Sequence, residues 1–357
     1  MSKIPLSALL KTMIDQDASD LHLTVGTPPQ FRIQGRMVRV KTDPLTPQDT
    51  KELSYSVLTD VQKSEFEQIH ELDFSFGVKE IARFRGNLFF QKGAVAAVFR
   101  RIPLQIPALD SLNLPNVIKD ILKKPNGLIL VTGPTGSGKS TTLAAMLDYI
   151  NTNENGHILT IEDPIEFVHP HKNCIVNQRE IGPDTKGFRE AMRHLLRQDP
   201  DYILIGELRD LETIEMAMTM AETGHLVFGT LHTNDAIQSI YRIVNSFSPH
   251  QQSQAKRLLS FILQGIISQQ LIARSNGPGR ALAMEIMIPN SAIRNLIRED
   301  KVHQLYSQMQ TGQNDSGMFT MNQSLIKLVQ NGQLTKNEAI EYSFVPEEIA
   351  KMLINTK

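Results

Sequence analysis

The nine residues from Gly133 to Thr141 carry the pattern in this chain that is best suited to chemistry. They read GPTGSGKST and fit G-x-x-x-x-G-K-[ST], with an apolar run before them and a helix-forming run after them. Glycines let successive backbone N–H groups converge on an anion, and the positive end of the following helix adds to the attraction. Lys139 could reach the β- and γ-phosphates of a nucleotide, and the Ser140 hydroxyl could bind Mg²⁺. The predicted phosphate-binding loop consists of Gly133, Pro134, Thr135, Gly136, Ser137, Gly138, Lys139, Ser140 and Thr141.

Two glutamates follow the next apolar run. Residues 158–161 are typical of a buried strand, Pro164 stops it, and Glu162 and Glu166 lie near its exit. In an open α/β sheet, ligand groups gather at the carboxyl ends of the strands. One carboxylate could position the attacking water of a hydrolysis reaction while another holds Mg²⁺ through water. Acids after a strand are also common as helix N-caps, so both interpretations stay open.

Glu207 and two histidines accompany the next two strand-like runs. Residues 202–205 are apolar and end at Glu207, as a Walker B strand does, which predicts that Glu207 takes part in binding Mg²⁺ and in hydrolysis. His225 and His232 flank the following run and lie seven residues apart, so on a regular strand they would face opposite sides and form a poor metal pair. We expect them to sense the γ-phosphate, although His225 could equally be a hydrogen-bonded structural histidine.

Composition limits the classes of function. The 37 Lys and Arg nearly balance the 38 Asp and Glu, which gives no electrostatic footprint for direct nucleic-acid binding. Cys174 is the single cysteine, and the first residues lack the apolar segment of a signal peptide. No apolar run approaches the roughly 18 residues that a membrane-spanning helix needs. We therefore expect a cytoplasmic protein whose membrane association is peripheral and depends on a partner.

The pattern of elements predicts two domains. Residues 1–101 combine helical spacing with alternating runs and predict an α+β domain with an antiparallel sheet. Residues 102–115 are punctuated by proline and predict a linker. In residues 116–357 strands alternate with helices, which predicts a parallel sheet wrapped by helices, and the last third is expected to be mostly helical.

Several of these motifs together resemble the secretion ATPases, which serve type II secretion, type IV pili and type IV secretion. Residues 133–141, 161–166, 204–210 and 223–234 resemble their Walker A, Asp box, Walker B and His box. Residues 19–23, 83–85 and 99–103, and above all 292–299 (AIRNLIRE), resemble the pilus-retraction ATPases within that family. The resemblance extends through essentially the whole chain.

The resemblance implies a fold and an assembly. The expected fold is an α/β RecA-like P-loop ATPase domain preceded by a smaller α+β PAS-like domain, in a homo-hexamer that binds ATP and Mg²⁺ between subunits. It also implies that Arg85 and Arg100 reach the triphosphate and that Glu166, with Glu162 as second candidate, is the base. A departure at Gly86, where an apolar residue is expected, leaves open whether Arg83 or Arg85 has this role.

The function implied by the resemblance is a motor. It would hydrolyse ATP at the cytoplasmic face of the inner membrane and act on a platform protein there, powering pilus retraction and twitching motility. The alternatives are a paralogous assembly, secretion or accessory ATPase, and a non-hydrolysing regulatory ring. The intact Lys139, Ser140, Glu166 and Glu207 argue against the ring that does not hydrolyse ATP.

Residues 292–299 offer two interpretations of their own. Ile293, Leu296 and Ile297 form one apolar stripe, while Arg294 and Arg298 lie four residues apart on another face. The segment is either a core helix with solvated arginines or an element that couples the ATPase to retraction, as the resemblance implies.

Overall fold

The computed structural model describes residues 4–33, 35–78, 82–102, 105–312 and 317–354. The backbone packs into two units, Met1–Gln105 and Ile106–Lys357. Of the helices in these described ranges, none is both long and apolar enough to cross a membrane.

The first unit is built on an antiparallel sheet. Its elements are α1 (Leu6–Asp15), β1 (Asp20–Leu23), β2 (Gln30–Ile33), β3 (Arg36–Arg39), α2 (Pro47–Tyr55), α3 (Asp60–Ile69), β4 (Glu71–Val78), β5 (Ala82–Gln91) and β6 (Ala94–Ile102). The six strands lie in the order β3-β2-β1-β6-β5-β4, and all neighbours are antiparallel. This confirms the antiparallel sheet that the sequence predicts for the N-terminal region.

Period-two alternation decides which face of this sheet carries the arginines. Along β5, Phe84 and Leu88 are buried, while Arg83 and Arg85 lie on the opposite face and are only partly buried. Successive side chains of a strand point to opposite faces, so one apolar set fills the core and the polar set stays accessible.

The second unit is an α/β unit. Its elements are α4 (Val117–Leu122), β7 (Gly127–Thr132), α5 (Lys139–Asn153), β8 (His157–Glu162), β9 (Ile175–Glu180), α6 (Phe188–Leu195), β10 (Tyr202–Ile205), α7 (Leu211–Glu222), β11 (Leu226–Leu231), α8 (Ala236–Val244), α9 (Pro249–Ile262), β12 (Leu263–Ala273), β13 (Arg280–Met287), α10 (Ser291–Arg298), α11 (Leu305–Thr311), α12 (Met321–Gln330), α13 (Lys336–Glu341) and α14 (Pro346–Ile354). Short 3₁₀ turns cover Leu109–Leu112, Leu196–Gln198 and Val302–Gln304.

The sheet of the second unit has seven strands in the order β13-β12-β7-β11-β10-β8-β9. All neighbouring pairs are parallel except β12 with β13. The interior strand β7 is buried along its whole length, with Leu128 and Leu130 in the apolar core on one face and Ile129 and Val131 in the core on the other. A strand covered on both faces reads as a continuous apolar run, as in other parallel sheets.

The expectation that the last third is mostly helical is wrong for residues 263–287. The helix that begins at Pro249 ends at Ile262, and β12 and β13 then form an antiparallel hairpin that begins at Leu263. The apolar run 261–267 therefore spans the end of a helix and the start of a buried strand, and periodicity cannot separate these two in a short apolar run. Because β13 is antiparallel, the sheet is mixed rather than wholly parallel.

Candidate nucleotide site

The predicted phosphate-binding loop joins the buried strand β7 to helix α5. Gly133, Gly136 and Gly138 have φ angles of 137°, 79° and 93°, a region that strongly favours glycine. A Cβ on Gly133 would lie 2.3 Å from the Gln269 carbonyl oxygen and 2.7 Å from Ser137 Oγ. The Ser137 hydroxyl is buried and has no hydrogen-bond partner among the described residues. The loop is therefore a cradle that offers a closely packed backbone and a hydroxyl that is available for a hydrogen bond, and both features suit the binding of a phosphate.

Lys139 lies over this cradle. Its Nζ donates hydrogen bonds to the carbonyl oxygens of Gly133, at 2.8 Å, and Pro134, at 3.1 Å. Burial lowers the pKa of Lys139, and the negative charges of Glu207 and Glu166 oppose that shift. The structure thus brings together a cation and two carboxylates that the sequence places far apart.

Strand register explains this gathering. Leu231 at the end of β11 pairs with Thr132 at the end of β7, and Ile205 at the end of β10 pairs with Ile161 and Gly229. The carboxyl ends of the four parallel strands therefore meet at one edge of the sheet, where such sheets bind ligands. At that edge Glu162 is the last residue of β8, and the phosphate-binding loop, Glu207 and His232 follow the ends of the other three strands.

Glu207 is held between two basic side chains. Its Oε2 lies 2.8 Å from Arg209 Nη2, and its Oε1 lies 3.4 Å from His232 Nε2. The preceding residue is also fixed, because Gly206 accepts a hydrogen bond from the Thr230 hydroxyl. His232 is thus beside Glu207 at the phosphate edge, where a histidine could meet the γ-phosphate.

Glu162 and Glu166 occupy different environments. Glu162 is buried, and it accepts hydrogen bonds from the Thr160 hydroxyl at 2.6 Å and from Gln178 Nε2 at 3.1 Å. Burial raises the pKa of Glu162 to about 7, although these hydrogen bonds oppose the shift. Glu166 is exposed. A base that orients water needs an accessible carboxylate, which favours Glu166 over Glu162.

The structure does not bring His225 to the phosphate-binding loop of its own chain, which corrects the expectation that this histidine binds nucleotide there. His225 lies before the first residue of β11, and its carbonyl oxygen accepts from the N–H of Gly127, the first residue of β7. The loop follows the other end of β7, about 20 Å away at 3.3 Å per residue. The Nδ1 of His225 is 3.0 Å from the Met220 carbonyl oxygen, which is the bonding of a structural histidine.

The two predicted nucleotide arginines are direct neighbours in the first unit. Arg85 of β5 pairs with Arg100 of β6, and residues paired in this way point to the same face of a sheet. Arg83 pairs instead with Ile102, and its Nη2 donates to the Ser75 hydroxyl at 2.7 Å.

Each of the paired arginines contacts an aspartate. Arg100 Nε donates to Asp20 Oδ1 at 2.8 Å, and Asp20 is buried. Arg85 Nη2 lies 3.5 Å from Asp73 Oδ1, and both side chains are largely exposed. The unexpected Gly86 has a steric reason, because a Cβ there would lie 2.5 Å from the Phe74 ring.

Helix α10 contains the AIRNLIRE segment. Asn290 Oδ1 caps its first turn by accepting from Ile293 N at 2.9 Å, and Ile293 and Ile297 are buried in the core of the second unit. Arg298 is exposed, whereas Arg294 is half-buried and hydrogen-bonded to another helix. Of the two interpretations of this segment, the core helix with solvated arginines fits Arg298 but not Arg294.

A preformed metal cluster is absent from the part of the chain that the structure describes, where no three His, Cys, Asp or Glu side chains are grouped to hold an ion. Mg²⁺ in nucleotide sites is commonly held by one or two protein oxygens together with phosphate oxygens and water. Ser140, in the first turn of α5, and Glu207 offer protein oxygens at the phosphate edge.

Comparison with known proteins decides the family. The chain matches the type II/IV secretion system protein family over residues 3–341. It belongs to this secretion ATPase family. Secretion ATPase membership, which the sequence motifs predict, is thereby confirmed.

Several members of the secretion ATPase family are similar to this chain over nearly its whole length. The type IV pilus retraction ATPase PilT of Pseudomonas aeruginosa is 52% identical over 342 residues, which covers 96% of this chain and 99% of that protein. A twitching motility protein of Neisseria gonorrhoeae is 46% identical over 334 residues, covering 94% and 89%. A crystal structure of the pilus retraction motor PilT with bound ADP superposes with a TM-score of 0.93 at 53% identity, covering 98% of this chain and all of that one.

Some side chains at the site were not predicted from the sequence. Arg209 contacts Glu207, and Gln178 of β9 contacts Glu162. Arg209 lies within the Walker B segment 204–210 but was given no role there, and Gln178 lies in none of the motifs. The sequence feature that could have pointed to these contacts is the polarity of Thr160 and Thr230, which interrupt otherwise apolar buried strands. Gln178 lies on a strand that the periodicity of the sequence did not identify.

Proposed function

We propose that this chain is a Mg²⁺-dependent ATPase motor that powers retraction of type IV pili and thereby twitching motility. The observation that carries the proposal is the convergence of Lys139, Glu166 and Glu207 at one sheet edge beside a glycine cradle. Whole-length similarity to a pilus retraction ATPase gives this site its cellular role.

In the proposed reaction, water attacks the γ-phosphorus of ATP, the bond from that phosphorus to the ADP oxygen breaks, and ADP and phosphate leave. The cradle and Lys139 hold the β- and γ-phosphates, Glu166 takes the proton of the water, and His232 meets the γ-phosphate from beside Glu207. Bound Mg²⁺ would neutralise phosphate charge, with Ser140 and Glu207 as the protein groups that hold it.

We further propose that the working unit is a homo-hexameric ring. Each subunit would combine a RecA-like domain (residues 116–357), a linker (102–115) and a PAS-like domain (1–101). Arg85 and Arg100 would approach the triphosphate bound by a neighbouring subunit, where planar guanidinium groups suit the developing phosphoryl charge. Their direct pairing across β5 and β6 supports Arg85 rather than Arg83 as the second arginine.

The ring would act in the cytoplasm at the inner membrane. Its proposed partner is the pilus platform protein in that membrane, so that its membrane association is peripheral. The balance of 37 basic and 38 acidic residues supports a protein partner rather than nucleic acid.

ATP turnover and pilus behaviour test this proposal together. Purified protein should hydrolyse Mg·ATP without stimulation by DNA, and a strain lacking the gene should carry excess surface pili and lose twitching. If the purified protein hydrolyses ATP but the strain lacking the gene has no surface pili, an assembly ATPase would be favoured. Binding of ATP without turnover would favour a regulatory ring, and DNA-stimulated turnover would favour a translocase.

A further inference from the structure

Gln178 holds both sides of the loop that carries Glu166. From β9, its side-chain carbonyl oxygen accepts from His169 N at 2.8 Å, and its Nε2 donates to the Phe167 carbonyl oxygen at 2.8 Å. The same Nε2 is 3.1 Å from Glu162 Oε1. The Gln178 amide is therefore hydrogen-bonded to Glu162, at the end of β8 before Glu166, and to the backbone of Phe167 and His169 after Glu166.

Glu162 completes this arrangement from the other side. Its carboxylate accepts from Thr160 and Gln178, and while burial raises the pKa of this carboxyl group, the backbone N–H of Glu166 helps to lower it. The side chain is 9% exposed, so these hydrogen bonds are shielded from water. Glu162 therefore lies close to the main chain of the proposed base while its Oε1 already accepts from two donors.

A third contact comes from the end of β9. Ile165 N donates to Glu180 Oε2 at 3.3 Å, and Glu180 is also buried. The segment 165–169 is thereby anchored at three backbone groups, on Ile165, Phe167 and His169. Glu166 itself remains exposed in the middle of this anchored segment.

We infer that Gln178 and Glu162 are positioning residues that fix the Glu166 loop, and that Glu162 is not the base. This inference rests on the proposed role of Glu166 in ATP hydrolysis. A misplacement of about 1 Å in a reacting group can cost about a hundredfold in rate, so loss of these anchors should act on the chemical step. The phosphate cradle is formed by other residues, so nucleotide affinity should be little affected.

Two substitutions of similar volume separate the functions of the Gln178 amide. Gln178→Glu keeps an acceptor for His169 N but removes the donor to Phe167 and Glu162 and places two acids together. Gln178→Met removes all three hydrogen bonds without adding charge. The matched control is Asn177→Asp, an amide-to-acid exchange on the neighbouring exposed residue of the same strand.

The measurements are kcat and KM for Mg·ATP, and ADP bound per chain. Both Gln178 variants should lower kcat at least about tenfold, with KM and ADP stoichiometry within about twofold of wild type. Asn177→Asp should leave all three unchanged. Wild-type kcat in both Gln178 variants, or a fall in kcat matched by the loss of ADP-binding chains, would overturn the inference.

Glu162→Gln distinguishes positioning from base catalysis. Glu162→Gln keeps one oxygen that can accept from Thr160 and Gln178 but turns the other oxygen into an NH2 donor, and we expect kcat to fall while remaining at least about tenfold above that of Glu166→Gln. Equal and complete loss in both would mean that Glu162 acts directly. If wild-type protein has no turnover at all, the proposed function fails, whereas active wild type with active Gln178 variants rejects only the positioning role.

Discussion

Arg294 Nη1 donates a hydrogen bond to the carbonyl oxygen of Phe261 at 2.7 Å, and a second to that of Ser260 at 2.6 Å. These carbonyls belong to the last turn of α9, which has no further helical N–H groups to satisfy them. A cation at a helix C-terminus is also favoured by the helix dipole. Arg294 therefore fastens α10 to α9, and burial lowers the pKa of its guanidinium.

The two arginines of α10 should consequently respond differently to substitution. Arg294→Ala leaves two C-terminal carbonyls without their charged donor and should reduce the free energy of unfolding by about 1 to 3 kcal/mol. Arg298 is exposed and its Nη2 contacts only Asn295 Oδ1 in the described structure, so Arg298→Ala should change stability by less than about 0.5 kcal/mol. Denaturant titration of both variants measures the difference.

Arg298→Ala is then the clean test of force transmission. Because the Arg298 side chain contacts Asn295 of its own helix and none of the nucleotide-site residues described above, the variant should hydrolyse ATP at the wild-type rate and yet fail to support twitching. Normal twitching would leave α10 as a structural helix. A loss of ATP turnover in proportion to twitching would mean that Arg298 affects the ATPase itself.

Substitutions of Lys139 and Glu207 should affect nucleotide binding and ATP hydrolysis differently. Lys139→Ala removes the cation of the cradle and should abolish both turnover and tight ATP binding. Glu207→Gln keeps the cradle and the side-chain volume, so ATP should still bind while hydrolysis falls by at least about a hundredfold. Equilibrium binding of a labelled nucleotide together with phosphate release distinguishes them, and near-normal turnover in either variant would contradict the site.

Local sequence signals were sufficient for much of the fold. Thr335 and Glu338 predict a capping box, and the structure has both of its bonds, with Glu338 N donating to Thr335 Oγ1 and Thr335 N to Glu338 Oε2. Asn331 and Gly332 are a typical helix stop, and the preceding helix ends there, with Asn331 at its C-cap and Gly332 at a φ of 66°. The β12–β13 hairpin was missed because its first strand is buried on the sheet and shows no alternation.

The site was predictable where chemistry coincides with a strand end. The phosphate-binding loop, Glu207 and His232 each follow a parallel strand, and parallel strands bring their carboxyl ends to one edge. His225 precedes β11 and therefore lies at the opposite edge of the sheet. A sequence motif alone does not show at which end of a strand a residue lies. The hydrogen bonds of Gln178 depend on β9 pairing with β8, a tertiary relationship with no local signature.

Glu285 should make stability depend on pH. This fully buried carboxylate accepts from Ala236 N at 2.9 Å and Met321 N at 3.4 Å, the first residues of α8 and α12, and burial raises its pKa to about 7. A raised pKa in the folded state means that the folded protein binds the proton more tightly, so this group's contribution is greatest below its ordinary pKa of 4.5 and is lost as pH rises through 7.

The matched comparison for this effect is Glu285→Gln, which does not titrate. Between pH 8 and pH 5.5 the melting temperature of wild type should rise relative to that of the variant. Glu162, whose pKa is also near 7, is present in both proteins and cancels in the difference. Melting curves that shift in parallel across this range would show that Glu285 does not titrate there.

The proposed arginines can be tested by mixing subunits, and Arg85 is the better choice for this. Arg100→Ala would leave the buried Asp20 without its 2.8 Å partner, whereas the exposed Arg85–Asp73 pair contributes about 0 to 1 kcal/mol.

If Arg85 acts on the nucleotide of a neighbouring subunit, Arg85→Ala and Lys139→Ala chains should each be inactive alone. Co-assembled rings should regain turnover, because some interfaces then pair an intact cradle with an intact arginine. Arg83→Ala is the matched control and should retain activity alone. Absence of any regained turnover in rings verified to contain both chains would reject a role for Arg85 in trans.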